Sequence, residues 1–212
     1  MTLSLLSSFF FLFTLLSPSS PFTAPLPSSP HHRTTASPLF STSPELASLL
    51  SAIDRAGTPV GTSAQSSVQE EIASAASALA ATVPAGEDLT AVPLTGTHEC
   101  LFSMAPGGSS GKLGPFTGRV SQEFVDDVNF INRVKFFGGA ARIDLKAQRT
   151  VVDGQTLKVS FVSNEVFLFG KSVVEKPLKG KGVWKVLHDS NGVRVMKTPS
   201  LFVLRASPDA PP

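Results

Sequence analysis

Between residues 44 and 83 apolar side chains recur at helical spacing, and from about residue 93 they alternate. Leu46, Leu49, Leu50 and Ile53 form one stripe at i, i+3, i+4, i+7. Ser43-Pro44-Glu45 supplies a hydroxyl cap, a proline at the first helical position and an acid at the positive helix end. Gly57 and Pro59 close this helix. A second helix is expected to open with a capping box, Ser67-Val-Gln-Glu70. Val68, Ile72, Ala75, Ala76, Leu79 and Val83 share its apolar face, and Pro84 stops it.

Beyond residue 93 the period is two. Val120, Gln122 and Phe124 oppose Ser121, Glu123 and Val125, and Val128, Phe130, Asn132, Val134 and Phe136 alternate in the same way. Further runs are 141–145, 157–161, 166–169, 183–187, 193–196 and 201–204. Gly138-Gly139, Asp153-Gly154, Ser163-Asn164, Gly180 and Asn191-Gly192 divide them. Asn-Gly and Asp-Gly pairs are hairpin signals. Short strands at this spacing, without intervening helices, predict an antiparallel sandwich or barrel. A barrel of about eight strands has an interior just wide enough for side chains or one small ligand. Residues 166–169 are apolar on both faces, which predicts an outer cover from the two helices.

The N-terminal region reads as an address. Leu3 to Leu16 is continuously apolar apart from Ser and Thr, shorter than the ~18–20 residues that span a bilayer. Phe22 to Ser43 is rich in Ser, Thr and Pro, with Arg33 and no acid. A signal core followed by an acid-poor, hydroxyl-rich stretch resembles the bipartite presequence of algae with complex plastids. Ser19-Ser-Pro-Phe22-Thr-Ala-Pro25 stands where its cleavage junction is expected, with Pro21 departing from the usual small residue. Residues 1–43 are therefore expected to be a plastid-targeting presequence. A short membrane anchor and a Pro-rich spacer after a secretory signal are the alternatives.

A formal charge of +2 gives no reason to expect nucleic acid as a partner, nor a strongly anionic surface. Cys100 is the lone cysteine, which excludes an intrachain disulfide and a cysteine metal cluster. Sixteen Phe against one Trp and no Tyr give apolar surface without a phenolic hydroxyl.

Few motifs carry chemistry. Gly107-Gly-Ser109-Ser-Gly111 matches the G-x-S-x-G elbow, but Lys112-Leu-Gly-Pro115 cannot begin the helix that must follow. It is expected to be a loop. Gly111-Lys112 lacks the spacing of a phosphate-binding loop. His98 and Cys100 share a strand face and offer a thiolate pair or half a zinc site, though packing is the default. Glu123, Asp126 and Asp127 suit a solvated turn. Lys171, Lys176, Lys179, Lys181 and Lys185 make one expected loop region basic, either solvated or touching anionic headgroups. No cofactor is expected.

Several of these segments together resemble the plastid lipid-associated proteins, or fibrillins of plastoglobules. Leu94-Thr-Gly96-Thr-His98-Glu-Cys100-Leu-Phe102 resembles the family's opening Leu-x-Gly-x-Trp-x-Leu-x-Tyr strand. Gly118-Arg-Val120-Ser-Gln122 and Asn132 resemble its next segment, and Gly182 to Trp184, His188-Asp189, Val193-Arg194-Val195 and Leu201-Phe-Val-Leu204 resemble its end. The resemblance implies a lipocalin-like antiparallel barrel over residues 93–207, preceded by a helical segment, 44–92. It also implies a plastid location at plastoglobules or thylakoids, with lipid, prenylquinone, carotenoid or fatty-acyl ligands and no catalysis. In such barrels an early Trp packs beneath an Arg of the last strand. Here Arg194 is present, His98 holds the Trp position, and Trp184 is the substitute aromatic. Phe102, Val120, Phe124, Val134, Phe136 and Trp184 are the expected ligand wall, with Arg194 bracing the closed end. Two alternatives stand beside this reading: an assembly factor with a filled barrel, and a lipid-modifying enzyme using His98, Cys100, Gln122 and Arg194.

Overall fold

A computed structural model describes residues 42–90 and 96–207. The expected presequence lies outside them except for its last two residues. Helix α1, Pro44–Ala56, begins as its sequence predicts. The Leu46 N–H donates to Ser43 Oγ at 3.2 Å, and Gly57 caps the other end in the left-handed region, φ 61°. Helix α2, Ser66–Ala81, starts earlier than its capping signal. Gln65 is the N-cap and makes no side-chain bond, so the box expected at Ser67 and Glu70 is absent. The first turn closes instead on the Gln65 carbonyl, which accepts from Val68 and Gln69. Arg55 and Glu71 pair across the two helices.

Ten strands follow: β1 Gly96–Ser103, β2 Lys112–Leu113, β3 Phe116–Thr117, β4 Arg119–Phe124, β5 Asn129–Phe136, β6 Ala141–Asp153, β7 Thr156–Leu168, β8 Lys171–Ser190, β9 Val193–Lys197 and β10 Leu201–Ala206. Eight of them close an antiparallel barrel in the order β1-β10-β9-β8-β7-β6-β5-β4. Strands β2 and β3 form a small hairpin within the long β1–β4 connection. The hairpins at Asp153-Gly154 and Asn191-Gly192 form where the sequence places them. Together with the 125–128 turn they mark one end of the barrel, the base. Turns 137–140 and 169–170 mark the other, the tip.

Two expected breaks are absent. Ser163-Asn164 lies inside β7 and Gly180 inside β8, so the lysines expected in a loop stand on one 20-residue strand. At Val162 the register slips without ending the strand, because one extra residue is extruded as a bulge. The hairpin between β7 and β8 turns at Phe169-Gly170.

The helices cover the outer face of β1, β9 and β10, not residues 166–169 as expected. Leu46, Leu49, Ile53, Ile72 and Leu79 pack with Val193, Val195, Val203 and Phe102. Phe167 is covered instead by Arg142, whose guanidinium carbon lies 3.7 Å from the ring centroid. The pairing of β1 with β10 jumps from Cys100↔Leu204 to Phe102↔Val203. Leu101 is thus the extra residue, and the phase of alternation reverses. Phe102, expected on the interior wall, faces outward and is completely buried beneath the helices.

Candidate functional site

The interior divides by level. At the base, Phe124, Phe130, Leu157, Trp184, Val186, Met196 and Leu204 fill the barrel and are all buried. Phe124 stacks on Phe130 at 5.6 Å, and Phe130 meets Trp184 at 5.1 Å. Offset and tilted ring pairs of this kind add to the area they bury. Toward the tip, Val120, Val134, Phe136 and Ala141 form a second apolar cluster with Ile143, Leu168 and Leu113 against it. Cys100 touches both clusters.

Between the two levels runs a row of polar side chains. His98 is the register neighbour of Gln122, Gln122 of Asn132, Asn132 of Leu145 and Leu145 of Asn164. These positions share the inward face of five adjoining strands, since direct cross-strand partners point the same way. Gln122 Oε1, Asn132 Oδ1 and Asn164 Oδ1 are buried and find no hydrogen-bond partner among the described residues. Unmatched buried acceptors cost roughly 1–3 kcal/mol each, so a water or a ligand group is called for at this level.

On the tip side of the row the interior wall meets solvent. Ile143, Leu145, Asn164, Val166 and Leu168 face inward yet are only half-buried. The base is sealed, whereas on the tip side the β6 and β7 part of the wall is half-buried beside the buried cluster of β4 and β5.

Two arginines close the base. Arg194 lies 5.0 Å and Arg149 4.9 Å from the Phe124 ring centroid. Asp189 pairs with Arg194. Arg149 Nε and Nη2 donate to the backbone carbonyls of Asp127 and Asp126 at 3.0 and 3.2 Å, which ties the 125–128 turn across the opening. Phe124 thus takes the place beneath Arg194 that Trp184 was expected to fill. His98 meets the Phe124 ring edge-on at 5.9 Å.

This chemistry is poor in acid–base capacity. Burial pushes the Cys100 thiol up to about 12, far from a nucleophilic thiolate. Burial, and then the charge of Arg194, lowers His98 to about 4, leaving a neutral imidazole. No cluster of three metal-ligating side chains occurs among the described residues. The Gly107–Ser110 segment is a 3-10 turn that leads into the short strand β2, so Ser109 stands exposed on a loop and not on the strand-to-helix elbow that a nucleophile of this motif needs.

The structure brings Phe124, Trp184 and Arg194 together at the base and Val120, Val134 and Phe136 together near the tip. It separates Phe102 from both. The sequence predicts a carboxylate, backbone carbonyl or aromatic partner for Arg194, which Asp189 and Phe124 supply, but it gives no sign of Arg149 over Phe124 and sets a break at Asn164 that β7 runs through. The signal for the row was a polar residue at an apolar phase, Asn132 between Phe130 and Val134. No family model, curated protein or solved structure matches the chain, so the fibrillin resemblance rests on the motif residues alone.

Proposed function

We propose that the barrel is a non-catalytic binder of one lipid-like molecule, entered from the tip. The carrying observation is the inward wall of β6 and β7 that meets solvent above a sealed aromatic base. The apolar side chains there favour a hydrocarbon by about 25 cal/mol per Å2 buried. The amides of Gln122, Asn132 and Asn164 favour a polar group carried partway along it. A prenylquinone, a carotenoid bearing oxygen or a fatty-acyl lipid has that form. The composition of residues 1–43 and the fibrillin-like motifs support placing this activity in a plastid, at plastoglobules or thylakoids.

Titration with fluorescent fatty acids, prenylquinones and carotenoids tests the reading, alongside mass spectrometry of organic extracts of the protein from its own cells. Asn164→Leu removes one unmatched acceptor with little change of volume. It is expected to hold or raise stability, weaken binding of ligands with a polar group, and spare a plain hydrocarbon. A folded protein that binds none of them defeats the proposal. The packing of Phe124, Phe130 and Trp184 then favours a second reading, a filled barrel acting as an assembly scaffold.

A further inference from the structure

The tip carries exposed phenylalanines on three neighbouring segments. Phe169 is 78% exposed, Phe137 52% and Phe116 40%. They are contiguous: the Phe116 and Phe137 rings lie 5.2 Å apart edge to face, and the Phe169 N–H donates to the Ala140 carbonyl at 2.7 Å, one short turn from Phe137. Two of them hold a backbone conformation that bulky residues avoid. Phe137 has φ 51° and Phe169 φ 48°, each followed by a left-handed glycine, Gly138 or Gly170. The equivalent turn at the base uses Asn191-Gly192, φ 52° and 69°, the pair such hairpins prefer. Phenylalanine at these places sacrifices local stability and leaves an apolar ring in water, a combination that marks functional sites.

The charge around these rings has one sign. Segments 111–120, 134–142 and 166–174 hold Lys112, Arg119, Lys135, Arg142 and Lys171 and no Asp or Glu. The base turns are the reverse: segments 86–90, 125–129, 153–156 and 188–192 hold Glu87, Asp88, Asp126, Asp127, Asp153 and Asp189 and no Lys or Arg of their own, with Arg149 and Arg194 set beneath them and Arg194 paired to Asp189. The Leu89 N–H, bonded to the Gly154 carbonyl at 2.7 Å, places the first of these segments at the base. The small net charge of +2 conceals an end-to-end separation. No helix among the described residues is long and apolar enough to cross a membrane.

We infer that the tip docks on an anionic lipid bilayer, with Phe169, Phe137 and Phe116 entering the interface and Lys135, Lys171 and Arg119 meeting the headgroups. Apolar rings supply burial, the cations attract the surface, and the acidic base turns away from it. The inference deepens the ligand-binding reading, because it sets the half-buried β6 and β7 wall on the side of the lipid from which a ligand would come.

The test is flotation of the full chain with vesicles of phosphatidylcholine alone and of phosphatidylcholine with about one third phosphatidylglycerol. Wild type is expected to float with the anionic vesicles, less as salt rises, and little with the neutral ones. Phe137→Asn with Phe169→Asn places in both turns a residue that tolerates their backbone, so the fold and its thermal midpoint are expected to persist. Binding to anionic vesicles should fall about tenfold or more. Flotation unchanged in this variant overturns the inference and assigns attachment to residues outside the tip. Absence of wild-type flotation on the anionic vesicles overturns it too and favours a protein partner for the rings. Ligand titration in vesicle-free solution separates this from the barrel's own function: the double variant should bind ligand as wild type does. Loss of ligand binding in every form, with flotation intact, would strike only the ligand reading.

Discussion

Arg194 meets Asp189 through two donors on one oxygen: Nε and Nη2 each lie 2.9 Å from Oδ2. Arg194 is 2% exposed, so the pair is held inside the barrel's base, and its Nη1 has no hydrogen-bond partner among the described residues. Removing one partner strands a buried charge. Asp189→Asn should therefore cost about 3 kcal/mol, whereas Arg194→Met with Asp189→Leu should return most of that loss. Urea unfolding at neutral pH, followed by the fluorescence of Trp184, checks both. A double variant no more stable than Asp189→Asn would show that the pair is not what Asp189 contributes.

Cys100 should be nearly inert. With its thiol pushed up to about 12 by burial, roughly one molecule in 10^5 carries a thiolate at neutral pH. Alkylation by iodoacetamide is expected to run at least about a hundredfold slower in the folded protein than in concentrated guanidinium. Equal rates would mean that the barrel opens at its middle far more readily than the packing around Cys100 implies.

Stability should decline as pH falls from neutral toward about 4. Desolvation, and then Arg194, lowers His98 to about 4, below its unfolded value of 6.5. Between those values the unfolded chain binds more protons, so stability rises with pH through this window and is complete above it. Burial lowers His188 as well and adds to the same slope. His98→Phe should remove on the order of 2 kcal/mol of this dependence and keep the edge contact to Phe124. Unfolding measured at several pH values across the window decides it. An unchanged slope would assign the dependence to His188 and to the carboxylates instead.

The helical cover hinges on one close approach. A Cβ on Gly61 would lie 2.7 Å from both Phe102 Cζ and the Ser103 carbonyl oxygen. Gly61→Ala should cost about 1–3 kcal/mol by overpacking. Phe102→Ala should cost about 3–5 kcal/mol by leaving a cavity under α1 and α2. Ligand affinity should change in neither, since Phe102 lies outside the barrel. Chemical denaturation and ligand titration on the same samples test this, and a selective loss of binding in Phe102→Ala would place that ring back on the wall.

Much of the architecture was legible because its signals are local. The alternation in 119–136, the turns at Asp153-Gly154 and Asn191-Gly192, and the cap at Ser43 each express a preference that acts over a few residues. Phe124 and Trp184 were readable as buried for the same reason. Gln122 was readable as inward, but its place in a row was not, since that row follows from the register of five strands.

The chain by itself determined an antiparallel run of short strands, sandwich or barrel, with two helices ahead of it and an apolar inner face, because periodicity and turn chemistry are written residue by residue. The barrel and the place of Arg194 at its closed end were implied by the resemblance. Only the tertiary structure decided which face each segment presents after a bulge. One extruded residue at Leu101 reverses the phase, and it sends Phe102 under the helices. The ring beneath Arg194 was decided there as well, since Phe124 and Arg194 meet only once the sheet has closed. So was the separation of charge, because Lys135 and Lys171 become neighbours of one tip, and Asp126 and Asp153 of one base, through strand lengths and pairings that no local pattern encodes.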